Sequence, residues 1–304
     1  MIAHLARHPY IERRITSSHY DYIFLSPHLD DVVLSCSGAL CSLRAQGCTV
    51  LVITLFAGDP LPPFSPLAQS FHRLWKVPDE TPYTKRKEEE RQAMMSLGIE
   101  YAWLGWLEVL YRQVDLACAE DICNPAIDPR RDHMFSTLSS WFTDLSRTFP
   151  TAQFVAPLAI GAHRDHLVTR EAACHTLNPH FLIFYEDFPY AAFQPQEVNP
   201  LARAQDLTPF HLDILPFLEK RIQATLQYQS QLEMLCHPPK RIEDVIRQYT
   251  KQHAGGGVIA VERYWMRSLD QFPLSVHQQA HARETVAIST EGGQLSLPSF
   301  LQRE

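Results

Sequence analysis

Two short clusters in this 304-residue chain carry side chains of the kind that bind metals and move protons: Pro27-His28-Leu29-Asp30-Asp31 and His163-Arg164-Asp165-His166. A catalytic zinc takes imidazole and carboxylate ligands, usually three from the protein, and keeps one position for water. His28, Asp31 and His166 would supply two imidazoles and one carboxylate. Asp30 is then left beside the metal as a free general base, and His163 and Asp165 form a second polar pair. Each cluster also has a plainer reading. Aspartates at a helix start cap free amides and lie favourably in the helix dipole, and His-x-x-His fits a solvated helix start. On residue types and spacing alone, both readings stand.

The elements around the clusters explain how they could meet. Tyr22 to Ser26 is a short apolar run ending at Pro27, a buried strand. Residues 30–46 have helical apolar spacing and stop at Gln46-Gly47. Cys48 to Phe56 is continuously apolar and β-branched, the pattern of a parallel strand covered on both faces. Strand, helix, strand in this span is a βαβ unit. The alternation continues with a helix over 84–97, a strand over 100–104, a helix over 132–149 and a strand over 153–156. A helix over 165–177, a strand over 181–185 and one long helix over 215–235 follow. The fold class expected is α/β, with a Rossmann-like, mostly parallel sheet flanked by helices. In such a sheet the loops beyond the strand C-termini converge on one crevice, where ligands bind, and both clusters lie in such loops. Residues 1–20 read as a peripheral lead-in. Residues 58–82 hold Pro60, Pro62, Pro63, Pro66, Pro78 and Pro82, a density read as excluding any regular element; a loop of that length often serves as a lid. A single domain is expected over 1–272, with a C-terminal extension over 273–304.

Bulk properties narrow the function. With 45% hydrophobic and 20% charged residues the chain has enough apolar content for a large core. A net charge of -7 argues against nucleic acid or an anionic membrane as the main partner. No apolar run approaches the roughly 18–20 residues of a membrane span, and the N-terminus lacks a signal-peptide core. The seven cysteines are scattered, with no Cys-x-x-Cys pair, and read as reduced thiols. These features together point to a cytoplasmic protein, and a homo-oligomer is compatible with them. The first βα turn has no Gly-x-Gly-x-x-Gly, which sets a dinucleotide enzyme aside.

The segment Pro27-His28-Leu29-Asp30-Asp31, followed by Leu34 and the small residues Cys36-Ser37-Gly38-Ala39, resembles the opening motif of the PIG-L/LmbE family of zinc N-deacetylases. His163-Arg164-Asp165-His166 is similar to that family's second motif. Between them, Arg86 to Glu89 with Ala93 and Leu97-Gly98 resembles the family's Arg-x-x-Glu helix, and Leu104 to Glu108 its Leu-Gly-x-x-Asp segment. These motifs span about residues 22–187. The resemblance implies one zinc on His28, Asp31 and His166, Asp30 as general base, and His163, oriented by Asp165, as oxyanion stabiliser or proton donor. It also implies that Arg86 and Glu108 hold the sugar. Two positions depart from the pattern: Gly161 stands where some members have tyrosine, and Val32 where a glutamate is usual. The expected reaction is hydrolysis of the N-acetyl group of an N-acetylglucosamine-type sugar or conjugate. A zinc amidase for larger N-acyl or thiol conjugates and a non-catalytic sugar-binding module are the competing readings. Two histidines and a carboxylate also suit ferrous iron. Glu186 and Asp187, after the strand at 181–185, point to the same crevice and could contact substrate hydroxyls, orient a ligand or merely fix a turn.

Overall fold

The computed structural model describes residues 10–267 apart from positions 113, 115, 237–239 and 253–259. The expected C-terminal extension, 273–304, lies outside the described residues.

The core of the sheet forms from the runs with the strongest apolar signal: β2 (Tyr22–Ser26), β3 (Val50–Thr54), β4 (Glu100–Leu104), β5 (Gln153–Pro157) and β6 (Leu182–Tyr185). β2, β3, β5 and β6 are buried throughout and β4 along all but its first residue, as strands covered by helices on both faces must be. These five are parallel. Three further strands close the edges in antiparallel sense: β1 (Tyr10–Arg14) beside β4, and β8 (Val261–Met266) between β6 and β7 (Thr208–Asp213). The order across the sheet is β1-β4-β3-β2-β5-β6-β8-β7. The sheet is therefore mixed, and part of the expected lead-in is a strand.

The order fixes where a site can form. From β2 the chain moves outward through β3 and β4, then returns to lay β5 on the other side of β2, with Ile23 opposite Phe154. β2 and β5 flank the switch point, so the loops after them part and leave a crevice. Those loops hold the two clusters.

Helices α1 (Asp31–Ala45), α3 (Pro82–Leu97), α4 (Met134–Thr148) and α5 (Arg164–Thr176) connect the strands. The proline-rich stretch is not bare of structure: α2 (Pro66–Trp75) lies within it. Pro66 occupies the first helical turn, where a missing N–H costs nothing, and Ser65 caps the helix by accepting from the Ala68 amide at 3.1 Å. The prolines cluster on either side and leave residues 67–77 free to coil. α6 (Tyr190–Phe193) and α7 (Pro195–Arg203) follow β6. The long helix expected over 215–235 is divided into α8 (Leu218–Thr225) and α9 (Gln229–Leu235), and α10 (Ile242–Gln252) precedes β8. No described helix is long and apolar enough to cross a membrane.

One joint ties the late chain to the early chain. In the middle of α1 the amides of Gly38 and Ala39 donate to the Glu262 carboxylate of β8, at 2.9 and 2.8 Å. Arg221 of α8 pairs with Glu262 at 2.8 Å and also donates to the Leu34 carbonyl. A Cβ at Gly38 would stand 2.5 Å from Ile214 and 2.7 Å from Glu262, so only glycine fits there.

Candidate active site

The loop after β2 is shaped around its own backbone groups. Ser26 Oγ donates to the His28 carbonyl at 2.7 Å and accepts from the Val32 amide at 3.2 Å. The His28 amide donates to Asp31 Oδ2 at 2.7 Å. Asp30 adopts φ 127°, a region that disfavours non-glycine residues and persists only where surroundings over-determine it. The loop after β5 has the same character, with positive φ at Ala159, Gly161 and Ala162. Strained backbone in both loops aims short side chains into one crevice.

Three atoms meet there. His28 Nδ1 and His166 Nε2 each lie 3.2 Å from Asp31 Oδ2, and 3.3 Å from each other. The remaining nitrogen of each ring is engaged: His28 Nε2 lies 3.0 Å from Asp165 Oδ2, and His166 Nδ1 lies 2.6 Å from Asp187 Oδ1. A ring that donates to a carboxylate through one nitrogen turns the lone pair of the other outward. Two lone pairs and a carboxylate oxygen thus face one another, a costly arrangement unless a cation sits between them. In a tetrahedral zinc site with bonds of about 2.0–2.1 Å, ligand atoms stand about 3.3–3.4 Å apart, so the triangle fits such an ion. The imidazoles of positions 28, 163 and 166 also cluster within 4.8 Å, but His163 Nδ1 already accepts from the Asp165 amide at 3.2 Å.

The electrostatics favour positive charge at this point. Burial works to lower the pKa of His28 and of His166, yet the facing carboxylate of Asp31 outweighs it and lifts both, His166 to about 9. Burial likewise raises Asp31, and the two imidazoles overcome it, holding that carboxyl well below its usual range. Asp30 is pushed the other way, first by burial and then by Asp31. The Arg86 guanidinium stands 3.6 Å from it and 2.8 Å from Glu108, which keeps both sugar-binding candidates beside the base candidate.

His163 and Asp165 are in the crevice, but they are not paired as expected. The Asp165 carboxylate turns to His28, to the Val109 amide at 2.9 Å and to Arg112 at 2.6 Å, which with its other contacts holds it far below the usual carboxylate range against the pull of burial. His163 is positioned by the Asp165 backbone amide, as the capping residue of α5. Burial and then His28 push its pKa well below the ordinary imidazole value, which favours the neutral ring. With Nδ1 accepting, the neutral ring carries its proton on Nε2.

Some residues of the site were left open by the sequence or gave no signal in it. Asp187 is the hydrogen-bond partner of His166 and also accepts from the Ile160 amide at 3.0 Å, the contact that the orienting reading calls for. Its signal was its place at the end of a parallel strand. Arg112 had no signal. Tyr190 fills the space beside Gly161, where a Cβ would stand 2.5 Å from its ring; an aromatic ring thus arrives from a different part of the chain.

Above this floor lies a roof. The pocket of about 80 Å³ is walled by Phe71 and Trp75 of α2, Met234 and Leu235 of α9, and Phe188 and Tyr190 after β6. One water-sized group needs roughly 10–15 Å³ on this measure, so several fit. Trp75 donates to the Met234 sulfur at 3.4 Å, Lys76 pairs with Glu233, and the Trp75 ring covers the Arg86 guanidinium at 4.7 Å. The roof has its own small apolar cluster around Ala68, Trp75, Val109, Leu110 and Ile122.

Known proteins are similar to this chain in sequence and in fold. Residues 23–177, just over half of the chain, match the family model described as PIG-L, GlcNAc-PI de-N-acetylase. The chain is 28% identical over 222 residues to 2′-N-acetylparomamine deacetylase of Streptomyces fradiae, covering 70% of this chain and 74% of the relative. It is 26% identical over 268 residues to the enzyme of the same name from Niallia circulans, covering 82% and 91%. Among solved structures, the zinc-inhibited form of teicoplanin deacetylase Orf2 superimposes with a TM-score of 0.68 at 26% identity, over 80% of this chain and 96% of that one. Motifs, switch-point geometry and relatives agree, and the chain belongs to the PIG-L family of N-deacetylases.

Proposed function

We propose that this deacetylase is zinc-dependent and removes the N-acetyl group from an amino sugar that forms part of a larger glycoside, of the aminoglycoside or glycopeptide kind its relatives are named for. The observation that carries the reading is the triangle of His28, Asp31 and His166 with the unbound carboxylate of Asp30 next to it. His28, Asp31 and His166 would hold the ion, and the chemistry it supplies when bound is Lewis-acid activation of water and of a carbonyl.

The chain's own groups do the rest. Asp30 accepts the proton of the attacking water, and Arg86 beside it fixes the carboxylate. His163, neutral with its proton on Nε2, donates a hydrogen bond to the oxygen that becomes negative as the amide carbon turns tetrahedral; one such donor is worth about 100- to 1000-fold in rate. The proton held by Asp30 then passes to the departing amine, leaving acetate and the free amino sugar. Asp165 and Asp187 keep the ligand rings in their tautomers. Arg86 and Glu108 contact the sugar, and Trp75 and Phe71 offer it a flat apolar wall.

The test is mass-spectrometric. The purified protein, incubated with 2′-N-acetylparomamine, loses an acetyl group from the substrate, and a chelator abolishes the reaction until zinc is restored. Zinc-replete protein that leaves every N-acetylated sugar in a panel intact overturns the reading. The apolar wall also suits a longer acyl chain, so the same panel includes N-butyryl and N-octanoyl glucosamine; faster release of these would make the enzyme an amidase of larger acyl groups.

A further inference from the structure

Two residues that line the pocket each carry a buried polar atom with no hydrogen-bond partner among the described residues: Nε of Arg86, a donor, and Oε1 of Gln231, an acceptor. Gln231 is 1% exposed, and a buried carbonyl oxygen left unpaired is costly. Which end of its amide faces the pocket is set by neighbours. Ser230 Oγ has a single proton and gives it to Glu89 at 2.5 Å, while the Ser230 amide donates to the same carboxylate at 2.9 Å. Ser230 Oγ can therefore only accept from Gln231, and the Gln231 Nε2 lies 2.9 Å from it. The amide nitrogen is thereby committed to Ser230 and the carbonyl oxygen is left over. Glu89, which anchors this chain of bonds, lies three residues after Arg86 on α3, on the same helix face.

We propose that Gln231 is a substrate-binding residue that accepts a hydrogen bond from a hydroxyl group of the bound sugar. This rests on the deacetylase reading above. A hydroxyl is the group indicated because Gln231 Oε1 needs a donor, and a hydroxyl can donate to it while keeping an oxygen that accepts from a cationic neighbour such as Arg86. An ammonium group would meet the guanidinium with like charge. The device reads substrate through a side chain of the roof helix α9, outside the residues 23–177 matched by the family model.

The experiment is a cycle of protein variants and substrate analogues. N-acetylglucosamine and its 3-, 4- and 6-deoxy analogues are assayed for acetate release with the wild-type chain and with Gln231→Met, which keeps length and removes the acceptor. For one analogue, wild-type kcat/KM falls roughly tenfold, as expected for one neutral hydrogen bond. Gln231→Met loses about the same on the parent sugar, mostly in KM, and nothing more on that analogue. Equal sensitivity of both proteins to all three analogues overturns the inference, as does an unchanged KM for Gln231→Met. Zinc content and thermal midpoint report folding. If the methionine variant does not fold, Ser230→Ala takes its place: it keeps the glutamine, frees its amide to rotate, and weakens discrimination of the same analogue. A wild-type chain inactive on N-acetylglucosamine and on 2′-N-acetylparomamine alike would count against the deacetylase reading itself, whereas an active chain indifferent to position 231 removes only the present inference.

Discussion

The floor and the roof of the pocket are built on opposite plans. The floor is polar, held by strained loops at the switch point of the sheet, with the outer ring nitrogens of His28 and His166 tied to Asp165 and Asp187. The roof is apolar, made of two short helices joined by a Trp75–Met234 contact and an exposed ion pair. Reaction chemistry needs groups fixed within a fraction of an ångström, which over-determined loops provide. Recognition of the larger glycoside proposed as substrate needs surfaces that can adjust. The division predicts that floor variants lose turnover or metal, and that roof variants lose affinity.

The largest effect expected is at Asp30. Asp30→Asn should lower kcat by about 100- to 10,000-fold, the usual worth of a general base, with one zinc retained by metal analysis. Turnover close to wild type would break the division at its centre. Asp187→Asn should weaken zinc binding by about 10- to 100-fold in chelator competition, because it releases the ring of His166. On the roof, Trp75→Ala should raise KM about tenfold with kcat little changed; a fall in kcat alone would make the roof part of the chemistry. Gly38→Ala tests the joint beneath both and should cost about 1–3 kcal/mol in thermal or denaturant unfolding, since its Cβ has no room. Smallest of all, Lys76→Ala removes a pair whose partners are 65% and 59% exposed. It should change stability by less than about 1 kcal/mol and KM by less than about threefold.

The floor was legible in the sequence because its chemistry is concentrated. Each cluster sits at the end of a strongly apolar strand; either alone fits a helix start as well, and it is the two together, with the family resemblance, that single out the crevice. The side-chain partners were less legible. Asp165 two residues from His163 suggests a pair, but a helix-capping residue accepts the amide two positions on, which turns the Asp165 carboxylate towards His28 instead. The roof was obscured for two reasons. Counting prolines over 58–82 hid that they bracket α2. The apolar spacing over 215–235 runs through a break that no proline or glycine marks; there the Tyr228 hydroxyl reaches down to buried Glu90, a tertiary contact that local pattern does not record. Gln231 lies just past that break.

The joint at Glu262 has a consequence for how the enzyme comes into being. Asp31 rides on α1, and α1 is completed by a carboxylate that stands 224 residues beyond Gly38. During synthesis His28, Asp31 and His166, the proposed metal ligands, have left the ribosome long before that carboxylate appears. The nascent chain can therefore lay down its parallel strands early, yet the helix that delivers Asp31 reaches its final form only after the far edge of the sheet is added. A truncated protein ending at α5 would keep the family's signature residues and lack the clamp that sets one of them.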